Sequence, residues 1–172
     1  GHVDLPASSM NASLDLTVAE IEGLPPELMQ LLGQGSRLQA RLGLSPQLLQ
    51  LHEASVQSRT TARASGRFDL EKNTFQASLS AALPQIRVDA LNVTPGATLD
   101  AKAEGKPDSF ELDLAATAKS IRFGELSVTG VNVKILLPDL PSHAAATIRA
   151  QALAGQEPVS LELRAEPVGK IV

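Results

Sequence analysis

The stretch ATLDAKAEGKPDSFELDLAATA, residues 97–118, decides the fold. Ala97, Leu99, Ala101 and Ala103 alternate with Thr98, Asp100, Lys102 and Glu104. After Gly105-Lys106-Pro107-Asp108-Ser109 the alternation resumes in Phe110, Leu112, Leu114 and Ala116. A period of two sends successive side chains to opposite faces of a strand, so each half has one apolar and one wet face. The five residues between are turn formers, too few for a crossover helix, and strands joined this way pair antiparallel.

The same unit recurs in both directions. Ala12, Leu14, Leu16 and Val18 alternate with Asn11, Ser13, Asp15 and Thr17; Leu38, Ala40, Leu42 and Leu44 alternate with Arg37, Gln39, Arg41 and Gly43. Near the other end, Val159, Leu161, Leu163 and Ala165 enclose Ser160, Glu162 and Arg164. Turn chemistry stands between such runs at Glu71-Lys72-Asn73-Thr74 and Gly155-Gln156-Glu157-Pro158. Strands are expected to begin near 11, 36, 47, 60, 74, 86, 97, 109, 120, 131, 144 and 158. Pro84, Pro95, Pro107, Pro141 and Pro158 fall at their boundaries, where a missing N–H is tolerated. One segment departs from the rhythm. In EGLPPELMQLLGQGS, residues 22–36, Leu28, Leu31 and Leu32 are spaced for a helix near residues 26–32, with Pro25-Pro26 to start it and Gly33 and Gly35 to stop it.

Composition narrows what such a sheet does. The 172 residues suit one domain, and a net charge of -4 with no Trp and no Tyr offers nothing for a phosphate backbone or stacked bases. With no Cys, disulfides and thiolate chemistry are excluded together. No run of about 18 apolar residues exists to span a bilayer as a helix, and the N-terminus lacks the layout of a signal peptide. Gly1-His2 reads as an expression-tag scar, and residues 3–172 as a single β-repeat domain excised from a longer protein.

The apolar content of 43% is dominated by 27 Leu and 24 Ala, against four Phe. A meander with one apolar face needs a cover, yet almost no helix is available to provide one. A sandwich, a closed barrel and a trough open to a ligand are the three solutions. About twelve strands make a barrel lumen wider than side chains fill. Small inward residues such as Ala62, Ala64, Ala77, Ala101, Ala103, Ala116, Ala118, Ala146, Ala150 and Ala152 leave space rather than fill it. The expected fold is therefore all-β: an antiparallel meander of about twelve strands curved into a U-shaped sheet with an apolar concave face. Leu14, Leu16, Leu38, Leu42, Phe68, Phe75, Leu79, Leu99, Phe110, Leu112, Leu114, Ile148, Leu161 and Leu163 are expected to line it, with Asp100, Glu111, Asp113, Glu162 and Arg164 facing water.

The stretch SGRFDLEKNTFQASLSAAL (65–83) resembles the recurring strand, turn and strand unit of TamB-like proteins, within the wider AsmA-like group. Residues 22–58, GELSVTGVNVKILLPDLP (124–141) and LAGQEPVSLELRAEP (153–167) are similar to it in the same way, so the resemblance spans about residues 12–167. Its motifs are strand-and-turn patterns without a chemical signature. The resemblance implies a taco-like β-sheet in a periplasmic protein anchored in the inner membrane of a Gram-negative bacterium. It also implies an outer-membrane barrel partner of the TamA type, a role in assembling outer-membrane proteins and autotransporters, and movement of phospholipid between membranes.

The residues themselves offer no catalytic centre and no metal site. His52 and His143 lack ligand spacing to each other, and the pair His52-Glu53 reads as a strand edge or bulge. His143, Ser142 and Asp139 share one loop and cannot converge as a triad. Asp100, Glu104, Glu111 and Asp113, with Lys102 among them, read as a solvated face with cross-strand ion pairing. No cofactor is called for. Two functions are weighed: a non-enzymatic groove holding acyl chains or client β-strands, and a self-packed structural or adhesin-like module without cargo. In either, the first and last strands, near 11–20 and 158–166, present unpaired edges that associate with neighbouring repeats.

Overall fold

The computed structural model describes residues 9–18, 36–141 and 145–165. Twelve strands follow one another: β1 (Met10–Val18), β2 (Ser36–Leu44), β3 (Leu48–Gln57), β4 (Thr61–Asp69), β5 (Thr74–Leu83), β6 (Ile86–Val88), β7 (Leu91–Val93), β8 (Ala97–Lys106), β9 (Ser109–Phe123), β10 (Leu126–Leu140), β11 (Ala146–Ala154) and β12 (Glu157–Ala165). Ten of them form one open antiparallel path, β1-β2-β3-β4-β5-β8-β9-β10-β11-β12. Between β5 and β8 the chain makes the small β6–β7 hairpin, whose β7 pairs with the far end of β9. Thr94 ties that hairpin down. Its N–H and hydroxyl both donate to the Ser120 carbonyl at 3.1 Å, and the Ser120 N–H donates to the Thr94 hydroxyl.

The expected helix near 26–32, the Gly1-His2 scar and the loop residues Ser142 and His143 lie outside the described residues. Elsewhere the expected strand starts hold to within two or three residues, with two corrections. The strand expected to begin near 86 is a hairpin of two three-residue strands, β6 and β7. Separate strands beginning near 109, 120 and 131 are replaced by two fifteen-residue strands, β9 and β10, joined at Gly124-Glu125. Gly130, whose φ is 60°, does not end a strand. It is absorbed as a bulge, because Thr129 pairs with Leu153 and Asn132 with Gln151.

Two further bulges re-phase the apolar pattern. In β3 the apolar face is carried first by Leu49 and Leu51 and then by Ala54 and Val56. The extra residue is His52, since Leu42 pairs with Leu51 while Arg41 pairs with Glu53. In β10 the step from Leu137 to Leu140 spans Pro138-Asp139, facing a single residue between Leu112 and Phe110. Pro138 is thus accommodated inside a strand at a bulge, one of the places that do not need its N–H.

The register makes the sheet regular across its width. Four consecutive transverse rows run unbroken through all ten strands, starting at Leu14, Asp15, Leu16 and Thr17 and ending at Leu163, Glu162, Leu161 and Ser160. The Leu14 and Leu16 rows are apolar at every strand. The other two consist of polar residues and a few alanines, and they lie on the opposite face.

No second layer covers the apolar face among the described residues. The only apolar residues buried there are Ala81, Ala97 and Ala118, and no large side chain is fully buried. Leu161, at the β12 edge, is 51% exposed. Along the central strands β4 and β8 the apolar side is nevertheless the more sheltered. Along β8, Leu99, Ala101 and Ala103 are half-buried while Asp100, Lys102 and Glu104 are exposed, as expected for the concave side of a curved sheet.

Candidate functional site

The fourteen residues read from the sequence as lining one face occupy four transverse levels of that face. Two levels are the unbroken Leu14 and Leu16 rows. The third runs Ala12, Leu42, Leu51, Gly66, Ala77, Ala103, Leu112 and Leu137. The fourth, at one mouth of the groove, runs Met10, Leu44, Leu49, Phe68, Phe75, Gly105, Phe110 and Leu140. Three of the four phenylalanines therefore meet on one level. Phe75 and Phe110 approach over Gly105, edge to face, with ring centroids 5.4 Å apart.

Side-chain size varies across the sheet in an orderly way. The outer strands bring Leu14, Leu16, Leu38 and Leu42 on one flank and Leu112, Leu114, Ile135, Ile148, Leu161 and Leu163 on the other. On the three levels away from the phenylalanine mouth, the central strands β4, β5 and β8 bring Ala62, Ala64, Gly66, Ala77, Ala81, Ala101 and Ala103, interrupted by Leu79 and Leu99. The result is a low floor of alanines between walls of leucine. Ten strands spaced about 4.8 Å apart make the face roughly 43 Å wide, and strands of nine residues make it about 30 Å deep. An acyl chain reaches about 15 Å, half the thickness of a bilayer's hydrocarbon core. Such a chain fits within the face in either direction.

The opposite face is built for water. Arg37 donates to both Asp15 carboxylate oxygens, from Nε at 3.1 Å and Nη2 at 2.6 Å, and Gln39 adds a third hydrogen bond. These contacts, the Arg37 hydrogen bonds first, lower Asp15 from its ordinary 3.8 to about 2. Glu162 is held low by hydrogen bonding from Arg164 and then by the charge of Arg149. Asp69 is lowered chiefly by the Lys72 backbone N–H, which it caps in the β4–β5 turn. Ser65 and Ser78 pair at 2.9 Å and Thr98 and Thr117 at 2.8 Å. Lys102 stands opposite Asp113, while Glu104 stands opposite Glu111.

The recesses of this face are gaps between long side chains. One of about 710 Å³ is bordered by Arg67, Asp69, Lys72, Gln76, Glu104 and Glu111, a mixed set of charges open to solvent. His52 lies in the β3 bulge over Gly43, where the absence of a Cβ makes room for the imidazole. Asp139 accepts a hydrogen bond from the Ser109 hydroxyl at 2.9 Å. No cluster of three or more His, Asp or Glu suited to a metal ion occurs among the described residues.

The features that sequence reasoning missed are the level of phenylalanines at one mouth and the graded floor. Both depend on register. The signal that carries register is the phase slip at His52-Glu53 and at Pro138-Asp139, where the apolar alternation changes from odd to even positions. No protein-family model, curated protein or solved structure matches the chain. What the fold and face define is a class: among the described residues, an open, single-layer antiparallel sheet with a continuous apolar side.

Proposed function

We propose that this chain is a non-enzymatic β-repeat segment whose apolar groove holds lipid acyl chains or the apolar side of client β-strands. The observation that carries this reading is the unbroken apolar face of ten strands with no large side chain fully buried among the described residues. A self-packed module would draw its leucines into a shared core. Here Leu14, Leu16, Leu42, Leu161 and Leu163 stay 43–51% exposed. An exposed patch of this extent on a monomer marks a binding surface, and each methylene a ligand buries on it gains about 0.8 kcal/mol.

The similarity of the repeat units to TamB-like proteins supports placing the segment in the periplasm, within a parent anchored in the inner membrane. There it works with a TamA-type outer-membrane barrel in outer-membrane protein assembly or phospholipid transport. Native mass spectrometry and organic extraction of protein purified from bacterial cells test the groove. Co-purifying phospholipid or a bound client segment is the expected result. A chain free of ligand that also fails to take up a fluorescent fatty acid overturns it.

A further inference from the structure

We infer that the two free edges of the sheet pair between copies of the chain, β12 of one molecule against β1 of the next, in the register that extends the unbroken rows. Among the described residues β1 pairs only with β2 and β12 only with β11, so each leaves one edge of N–H and C=O groups unused. The path contains an even number of strands, all antiparallel to their neighbours, so β1 and β12 run in opposite directions. A second copy displaced along the sheet therefore meets the first antiparallel and with the same face inward. An odd count would have placed the two edges parallel.

Register completes the match. Leu14 and Leu163 end one apolar row, and Leu16 and Leu161 end the next. Appending a copy sets leucine against leucine on the inside and Thr17 against Ser160 outside. The one like-charged opposition, Asp15 with Glu162, joins carboxylates already bound within their own molecule by Arg37 and by Arg149 and Arg164. The junction thus gathers three guanidiniums and two carboxylates. Because the contact is heterologous, a copy joined at one edge still presents the other, so assembly continues beyond a dimer unless the curvature of the sheet closes a ring. This inference stands apart from the groove's cargo, since it rests on edges and register alone.

The chain has no cysteine, so introduced thiols report directly on the contact. T17C and S160C variants of the 172-residue chain, each with an unchanged circular dichroism spectrum, are mixed under mild oxidation. Antiparallel pairs alternate between narrow and wide spacing, so L14C mixed with L163C covers the other geometry. The expected result is a mixed disulfide in at least one combination, formed ten or more times faster than either homodimer and faster than T17C with E162C. In the unmodified protein, mass by light scattering is expected to rise past the dimer with concentration. Dominant S160C or T17C homodimers overturn the inference in favour of a closed two-fold contact, and dominant T17C–E162C overturns the register. A monomer at all concentrations with no mixed disulfide overturns it outright.

Discussion

Which way a single side chain points decides what its loss does. Leu112 is half-buried and Leu163 is 50% exposed, so a charge at either site remains hydrated on an open face. Buried in a dry core, the same unpaired charge would cost several kcal/mol. Leu112→Asp and Leu163→Glu are therefore expected to keep the β-rich circular dichroism spectrum while abolishing acyl-probe binding. Glu111→Arg, on the other face and opposite Glu104, is expected to leave binding unchanged and to raise Tm slightly by removing a like-charge opposition. Unfolding of both leucine variants would mean that the face is packed. Asp15 supplies a second test at this scale. A carboxyl lowered from 3.8 to about 2 adds stability that is complete above its unfolded value and lost as pH falls through about 2. Carboxyl NMR is expected to place the Asp15 midpoint near 2 and, in Arg37→Ala, back toward the ordinary value. Because the pair is exposed, Tm at neutral pH changes little.

Among elements, the turns and bulges hold register. Gly105, at φ 139°, pairs with Phe110 in β8 just before the Pro107-Asp108 turn, and an added Cβ would lie 2.6 Å from the Ser109 carbonyl and 2.7 Å from the Phe110 Cα. Neither backbone atom can yield cheaply. Gly105→Ala is expected to cost about 2 kcal/mol, a fall in Tm of roughly 4–8 °C in a thermal melt. The β3 bulge gives a sharper test. Deleting His52 merges Leu49, Leu51, Ala54 and Val56 into one alternation, so the shortened strand keeps its apolar side inward. Deleting Asp100 from bulge-free β8 turns half of that strand over. The first deletion is expected to fold with a native-like spectrum and the second to lose it; equal outcomes would remove the bulge from its register role.

The legibility of these elements in the sequence followed the same line. Strands with clean alternation, such as Leu99 to Ala103 or Leu161 to Ala165, could be read directly, and with them the face on which all fourteen candidate residues lie. The boundary between β9 and β10 could not, because Gly130 serves equally as turn or bulge and only the pairing partner decides. Nor could the phenylalanine level, since cross-strand neighbours are fixed by register and not by local pattern.

At the scale of the whole molecule, the described strands form one layer held by its ladders. Along the ten-strand path every strand pairs with its neighbour in sequence except β5, which pairs with β8 across the intervening hairpin, while β7 of that hairpin pairs with β9. The termini of this path, β1 and β12, lie at opposite ends of the sheet. Tension applied between them acts across the strands rather than along them, so it loads one hydrogen-bonded pair at a time. Pulled from residues 10 and 165, the domain is expected to peel strand by strand at low, nearly constant force in single-molecule stretching, without the high single peak of a sheared sandwich. Such a sheet is a compliant spacer. It lengthens under load by releasing end strands and shortens again by re-laying them on the edge that remains.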